Sequence, residues 1–160
     1  MIRLAKLEDL PKILDIYEYA REFMKEHGNP TQWGDTHPED LILKEDIKNE
    51  TLYLIEEDGR INGVFAFIVG DDSTYDVIDN GHWKSSDIYG TIHRVAAAED
   101  ASGIVKKAVE YCKLLHPYIR IDTHEKNVIM QHLIEKAGFK KSGIIYAYDG
   151  SPRIAYEWIA

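Results

Sequence analysis

The stretch from Ile88 to Thr123 constrains the fold more than any other part of the chain. Ile88 to Ala98 reads as a strand and Tyr118 to Thr123 as another. Between them, Ala101 to His116 reads as a helix with Ile104, Val105, Ala108, Val109, Cys112 and Leu115 on one face. A strand, helix, strand succession of this length makes the two strands parallel neighbours joined by a right-handed crossover. Parallel neighbours need helices over the sheet faces, so the fold class is α/β.

The flanking pattern fills in the rest of the sheet. Ile2 to Lys6 alternates as a short first strand, and from Leu7 the apolar positions Leu10, Ile13, Leu14, Tyr17, Ala20 and Met24 take helical spacing. That helix stops at His27-Gly28-Asn29-Pro30, because glycine suits the cap and proline cannot continue the helix. Residues 31–38 form a turn-rich loop, followed by a shorter helix around Leu41, Ile42, Glu45 and Ile47. Thr51 to Glu57 and Ile61 to Val69 pair as a hairpin across Asp58-Gly59-Arg60. Gly70 to Gly90 is a long excursion with little regular structure, and such loops in a compact domain are functional or mobile. Glu125 to Ala137 is a further helix ended by Gly138-Phe139. Lys141 to Tyr148 and Arg153 to Trp158 then close the sheet as a hairpin. Residues 1–160 read as one domain without repeats or linkers.

Charge narrows the partners. Asp and Glu total 28 against 19 Lys and Arg, a formal net charge of -9, so the summed field repels polyanions such as nucleic acid and draws small cations. Cys112 falls on a helical apolar face, where a packed thiol is the expected role, and no metal site is expected. No run approaches the ~18 apolar residues of a spanning helix, so the expectation is a cytoplasmic protein without membrane contact.

From Arg120 the chain runs Arg-Ile-Asp-Thr-His-Glu-Lys-Asn-Val-Ile-Met-Gln-His-Leu-Ile-Glu-Lys-Ala-Gly-Phe. This resembles the strand, helix and turn that GNAT acetyltransferases use beside the pantetheine arm of coenzyme A. Asn127, Leu133, Gly138 and Phe139 fall at the family's spacing, and Arg153 to Tyr156 matches an Arg-x-Ala-Tyr stretch that many members show. The order of elements before it agrees, so the resemblance spans nearly the whole chain. Residues 29–34 (Asn-Pro-Thr-Gln-Trp-Gly) and 92–94 (Ile-His-Arg) are similar to one bacterial branch. The resemblance implies a mixed, mostly antiparallel sheet whose parallel strands four and five splay apart, flanked by helices. It implies acetyl-coenzyme A as co-substrate, its arm in the gap and bonded to the backbone of strand four. Homodimers are common in the superfamily.

By that carry-over, Val95, Ala96 and Ala97 offer main-chain partners to pantetheine, with Asn127 beside them. The same alanines also suit plain packing under a helix. The family's pyrophosphate turn brings bare amides to a helix N-terminus, and the matching positions read Asp100, Ala101, Ser102, Gly103, Ile104 and Val105, with Lys106 following in the same turn. Only Gly103 keeps the family's residue type. Asp100 either sets a carboxylate where an anion lands or caps the helix. Lys106, Lys107, Lys140 and Lys141 either gather charge for a phosphate or form a solvated face.

Acetyl transfer to an amine needs a base, amide donors and an acid for the departing thiolate. The tyrosine that many members carry one residue after the helix leucine is Ile134 here. His93, in strand four near the splay, is the first candidate for the base, the alternative being a structural histidine. Strand alternation puts His93 and Val95 on one face and Arg94 and Ala96 on the other. His124, beyond the end of strand five, is the second candidate, although Asp122-Thr123-His124 reads equally as helix capping. Tyr146 and Tyr148 are replacement acids or sheet packing. Gln32, Trp33, Tyr75 and Trp83 are candidates for the acceptor pocket, with Asp35, Asp72 or Asp76 nearby to hold a protonated amine. Loop tryptophans also serve as anchors to a core.

The expected activity is therefore acetyl transfer from acetyl-coenzyme A to a primary amine of a small molecule, by direct attack in a ternary complex. Two alternatives stand beside it. One is a non-catalytic acyl-coenzyme A sensor, suggested by Asp100, Val105 and Ile134. The other is an enzyme that acetylates a protein N-terminus or lysine.

Overall fold

The computed structural model describes residues 1–160. Strand β1 (Ile2–Leu4) leads through a 3-10 turn into helix α1 (Leu10–Glu26), helix α2 (Asp40–Lys48) and the hairpin β2 (Leu52–Glu57) and β3 (Arg60–Val69). After the 70–89 excursion come β4 (Gly90–Ala97), α3 (Ile104–Leu115), β5 (Tyr118–Thr123), α4 (Val128–Lys136), β6 (Lys140–Tyr146) and β7 (Pro152–Ile159). The seven strands form one sheet in the order β1-β2-β3-β4-β5-β7-β6. Only β4 and β5 are parallel, and their ladder holds just two residue pairs, Gly90 with Ile119 and Thr91 with Arg120. Beyond those pairs the strands part, as the resemblance implied.

The expected helix α3 begins later than the apolar spacing suggests, at Ile104. Asp100 (φ 62°) and Gly103 (φ 70°) both take left-handed backbone, which breaks the helix ahead of that point. Likewise β4 starts at Gly90, because Ile88 is 68 % exposed and outside the ladder.

Two apolar clusters cover the sheet. One packs α3 and α4 through Ala108, Cys112 and Ile134 onto Phe65, Phe67, Ile92, Ile119 and Tyr156. The other packs α1 and α2 through Ile13, Ile16, Tyr17 and Leu43 onto Leu52, Leu54, Val64, Ala66 and Ala96. No helix is long and apolar enough to cross a membrane.

Strand β4 departs from simple alternation. Val64 pairs with Ala96 and Ala66 with His93, so Arg94 and Val95 together oppose Phe65. This is a β-bulge, with Arg94 at φ 53°. Its effect is to put Ile92 and Val95 into the α3 cluster while Ala96 turns to the α1 cluster. The alternation expected from the sequence is thereby corrected: a residue inserted in one strand reverses the facing of everything after it. A non-glycine residue in that conformation needs support. The Tyr17 hydroxyl donates to the Arg94 carbonyl at 2.7 Å, and the Arg94 guanidinium forms an ion pair with Asp46 on α2.

The excursion is fastened by one buried cation. The Arg120 guanidinium lies 4.0 Å from the Trp83 ring and 3.8 Å from the Tyr89 ring. It donates to the Ser85 carbonyl at 3.0 Å and to the Tyr118 hydroxyl at 3.1 Å, which in turn donates to Glu157 at 2.8 Å. Glu157 also accepts from the Lys84 amide at 3.0 Å. Replacing Arg120 by Leu removes the stack and the guanidinium's bonds to the Ser85 carbonyl and the Tyr118 hydroxyl. The expected loss is about 2–4 kcal/mol, read as a drop in thermal midpoint of roughly 4–16 °C for a chain of this size.

Candidate active site

Where β4 and β5 separate, two cavities meet. One, of about 240 Å³, is mostly apolar and lies between α1, the alanines at the end of β4, and α4. The other, of about 470 Å³, lies under the 31–37 loop, the start of the excursion and the 147–153 turn. Met24, Val95, Asn127 and Met130 line both, so the cavities join at the split.

The apolar cavity suits an extended, amide-bearing ligand. From Ile92 onward β4 has no ladder partner on its β5 side, which leaves backbone donors and acceptors free inside the sheet. Val95, Ala96, Ala97 and Ala98 line the cavity there, and small side chains admit a close approach. Ala101 continues this wall toward the N-terminus of α3. The amides of Ser102 and Gly103 donate to no backbone carbonyl, and those of Ile104, Val105 and Lys106 belong to the first turn of α3. These groups fit a phosphate-bearing ligand with one exception. Asp100 is exposed on the cavity wall and makes no capping bond, so the capping role is not what this carboxylate does.

Few of the lysines add to that turn. Lys107 is held by Glu57 at 2.8 Å, and Lys106 stands 4.0 Å from Glu110. Lys140 and Lys141 lie at the other end of α3, because Lys113 in its last turns donates to the Ala137 carbonyl at 2.8 Å. Ten residues of helix from Gly103 to Lys113 span about 15 Å. Asn127 caps α4 by accepting from the Met130 amide at 3.1 Å, and its side-chain amide donates to Gln32 at 3.1 Å. Leu133 lines the apolar cavity, whereas Ile134 is fully buried in the core.

The polar cavity collects the titratable groups. His93 Nε2 lies 3.0 Å from an Asp72 carboxylate oxygen. Asp72 also accepts from the Thr74 amide at 2.9 Å and the Thr74 hydroxyl at 2.7 Å. Burial works against the charge on Asp72, yet the bonds from His93 and Thr74 and the field of His93 prevail and hold its carboxyl down at about 2. Asp122 lines the same wall, and the buried Tyr75 hydroxyl donates to it at 2.7 Å. There burial wins, pushing the Asp122 carboxyl up. Trp33 forms a side wall, its ring edge-on to Tyr17 at 5.6 Å and to His37 at 6.3 Å. Burial, then the Arg94 charge, pushes the His37 imidazole down.

Of the residues singled out by sequence, the structure brings His93, Gln32 and Trp33 together around the polar cavity. His124 stands just outside it, with Nδ1 accepting from the Lys126 amide at 3.0 Å and Nε2 at 3.4 Å from the Thr31 hydroxyl. One ring nitrogen holds the turn after β5, and the other faces the loop after α1. Tyr146 is exposed on β6 with its hydroxyl donating to Asp79 at 2.7 Å, away from both cavities. Tyr75 and Trp83 also lie off the cavity walls: Tyr75 orients Asp122, and Trp83 anchors the excursion through Arg120. Tyr148 lines the polar cavity at its outer rim. Sequence reasoning missed His37, Arg94, Asp122 and Arg153 as members of the site.

A mixed sheet, split between its parallel strands over two joined cavities, defines an acetyltransferase fold, and solved structures agree. A GNAT-family acetyltransferase from Streptococcus agalactiae is 32% identical, with 100% of this chain and 95% of that chain covered at a TM-score of 0.92. A GNAT-family acetyltransferase from Listeria monocytogenes is 24% identical over 100% of this chain and 94% of its own, with a TM-score of 0.73. A Salmonella typhimurium protein solved with its cofactor acetyl-CoA shares the fold at 16% identity and a TM-score of 0.63, covering 99% of this chain and 92% of its own. No protein-family model and no curated protein matches the sequence. The chain belongs to the GNAT family of acetyltransferases.

The Asp72 environment sets a stability test. A carboxyl lowered from 3.8 to about 2 adds stability that is fully present above pH 4 and is lost as pH falls toward 2. Asp72→Asn is therefore expected to lower the urea midpoint at pH 7, with the gap from the parent narrowing between pH 4 and pH 2.

Proposed function

We propose that this protein transfers an acetyl group from acetyl-coenzyme A to the primary amine of a small molecule, by direct attack in a ternary complex. The observation that carries this reading is the His93–Asp72 pair on the polar side of the junction at Val95, opposite the free edge of β4 on the apolar side. Backbone groups of Val95, Ala96 and Ala97 would hold the pantetheine arm, and the amides from Ser102 to Val105 the pyrophosphate, with Lys106 at their margin. Acetyl-coenzyme A supplies the thioester, and the remaining chemistry falls to the protein.

Asp72 keeps a proton on His93 Nε2 and so leaves the lone pair on Nδ1. His93 takes one proton from the bound ammonium, which frees the nitrogen to attack the thioester carbonyl. A strand-edge amide of β4 polarises that carbonyl. The C–N bond forms, the C–S bond breaks, and the second nitrogen proton leaves with the sulfur as the thiol. His93 then returns its proton to solvent through the open cleft. This route needs no dedicated side-chain acid, in keeping with Ile134 in the core and Tyr146 on the far surface.

Binding and turnover are measured separately. Acetyl-coenzyme A is expected to raise the thermal midpoint more than ATP does, and thiol release is expected with amines from a primary-amine panel. His93→Ala is expected to keep the thermal shift and to lower kcat/KM about 10²–10⁴-fold at pH 7. That loss shrinks as pH rises and solvent deprotonates the amine. A full thermal shift with no thiol release on any amine overturns transfer and leaves a sensor of acyl-coenzyme A. Release confined to peptides points to a protein acceptor.

A further inference from the structure

We infer that the acceptor is an amino acid, its carboxylate held by Arg153 and its amine by the acidic corner of the same cavity; this deepens the transfer reading above and rests on it. Arg153 is only 7 % exposed and lines the polar cavity. Its guanidinium donates to the Ser151 hydroxyl at 2.7 Å and to the carbonyls of Pro152 at 3.1 Å and Gln32 at 3.4 Å. No carboxylate stands within ion-pair distance of it. Three other arginines are matched: Arg94 by Asp46, Arg3 by Asp9 and Glu56, and Arg120 by three aromatic rings and the Tyr118–Glu157 bond, while Arg21, only half-buried, donates to the His37 carbonyl. A buried cation with only neutral acceptors is costly for the free protein. A planar fork at a cavity wall is also the geometry that binds a carboxylate.

The opposite charge lies close by on the same sheet face. Asp122 pairs with Ala155 across β5 and β7, and Arg153 lies two residues along β7 from Ala155. Diagonal neighbours of this kind are about 7 Å apart. Asp122, Asp72 and His93 form the corner that would receive an ammonium, and Arg153 stands beside it. A ligand that carries both charges a few bonds apart spans that distance, and a plain alkylamine leaves Arg153 unanswered. The remaining charges near the cavity are engaged or solvated: Arg94 is paired, and the exposed Asp149 carboxylate reaches Arg153 only through the Ser151 hydroxyl, which donates to it at 2.6 Å. Arg153 also contributes to lowering the His37 and His124 imidazoles, after burial in both cases.

The test pairs each of the twenty L-amino acids with its carboxamide, and follows both thiol release with acetyl-coenzyme A and calorimetric binding to protein saturated with coenzyme A. At least one amino acid is expected to exceed its amide by about 10²-fold in kcat/KM and in Kd. Arg153→Met is expected to erase that preference by raising KM and Kd for the amino acid, with the amide unchanged. Arg153→Lys is expected to restore part of it. The acetyl-coenzyme A thermal shift, retained in both variants, shows that the site still folds. Equal use of acid and amide, or equal losses on both in Arg153→Met, overturns the inference and leaves acetyl transfer standing. Arg153-dependent binding of an amino acid without turnover upholds the carboxylate site and overturns transfer. Neither binding nor turnover with any pair overturns both.

Discussion

The bulge at Arg94 is the constraint on which the rest of the site depends. Two residues of β4 opposing one residue of β3 turn the strand away from β5 after only two ladder pairs. A left-handed arginine does not hold that shape unaided. It is kept there by Tyr17 on α1 and Asp46 on α2, so the two helices that cover one face of the sheet also hold the split open. Both cavities and their junction at Val95 follow from that local geometry. The free backbone edge is the chemical result: a sheet interior normally has its amides paired, and here a run of them is available to a ligand.

The excursion after β3 completes the site from the other side. Its start supplies Asp72 and Thr74, and its body is stacked on Arg120, while Glu157 receives the Lys84 amide. Gly81 comes so close to β6 that a Cβ there would sit 1.9 Å from the Ser142 carbonyl oxygen, which explains a glycine at this point of the loop. The loop is thus bound to the sheet through polar and aromatic contacts more than through aliphatic burial. Asp72 reaches His93 because that fastening lies on strands next to it.

Much of this was legible in the sequence. The strand–helix–strand unit and the motif from Arg120 to Phe139 fix the fold class and the family, and every element falls within a few residues of its expected bounds. His93, Gln32 and Trp33 were legible because strand ends and aromatic-bearing polar loops gather at ligand sites. The bulge was not, because Arg94 carries none of the usual marks of a left-handed residue, and its position emerges only from pairing with β3. Asp122 and Arg153 were hidden for a different reason. One reads as part of a capping turn and the other as a motif letter, and their meaning appears only when β5 and β7 align. Tyr146 and Trp83 failed to join the cavity because Asp79 and Arg120 engage them elsewhere.

Gln32 gives the two halves of the cleft a common member. Its side-chain oxygen accepts from Asn29 and from Asn127, the cap of α4 beside the apolar cavity, and its carbonyl accepts from Arg153 in the polar one. The hydrogen bonds of one residue thus run from the helix cap on the apolar side to the guanidinium on the polar side. The split sheet supplies two cavities, and one glutamine ties their walls together.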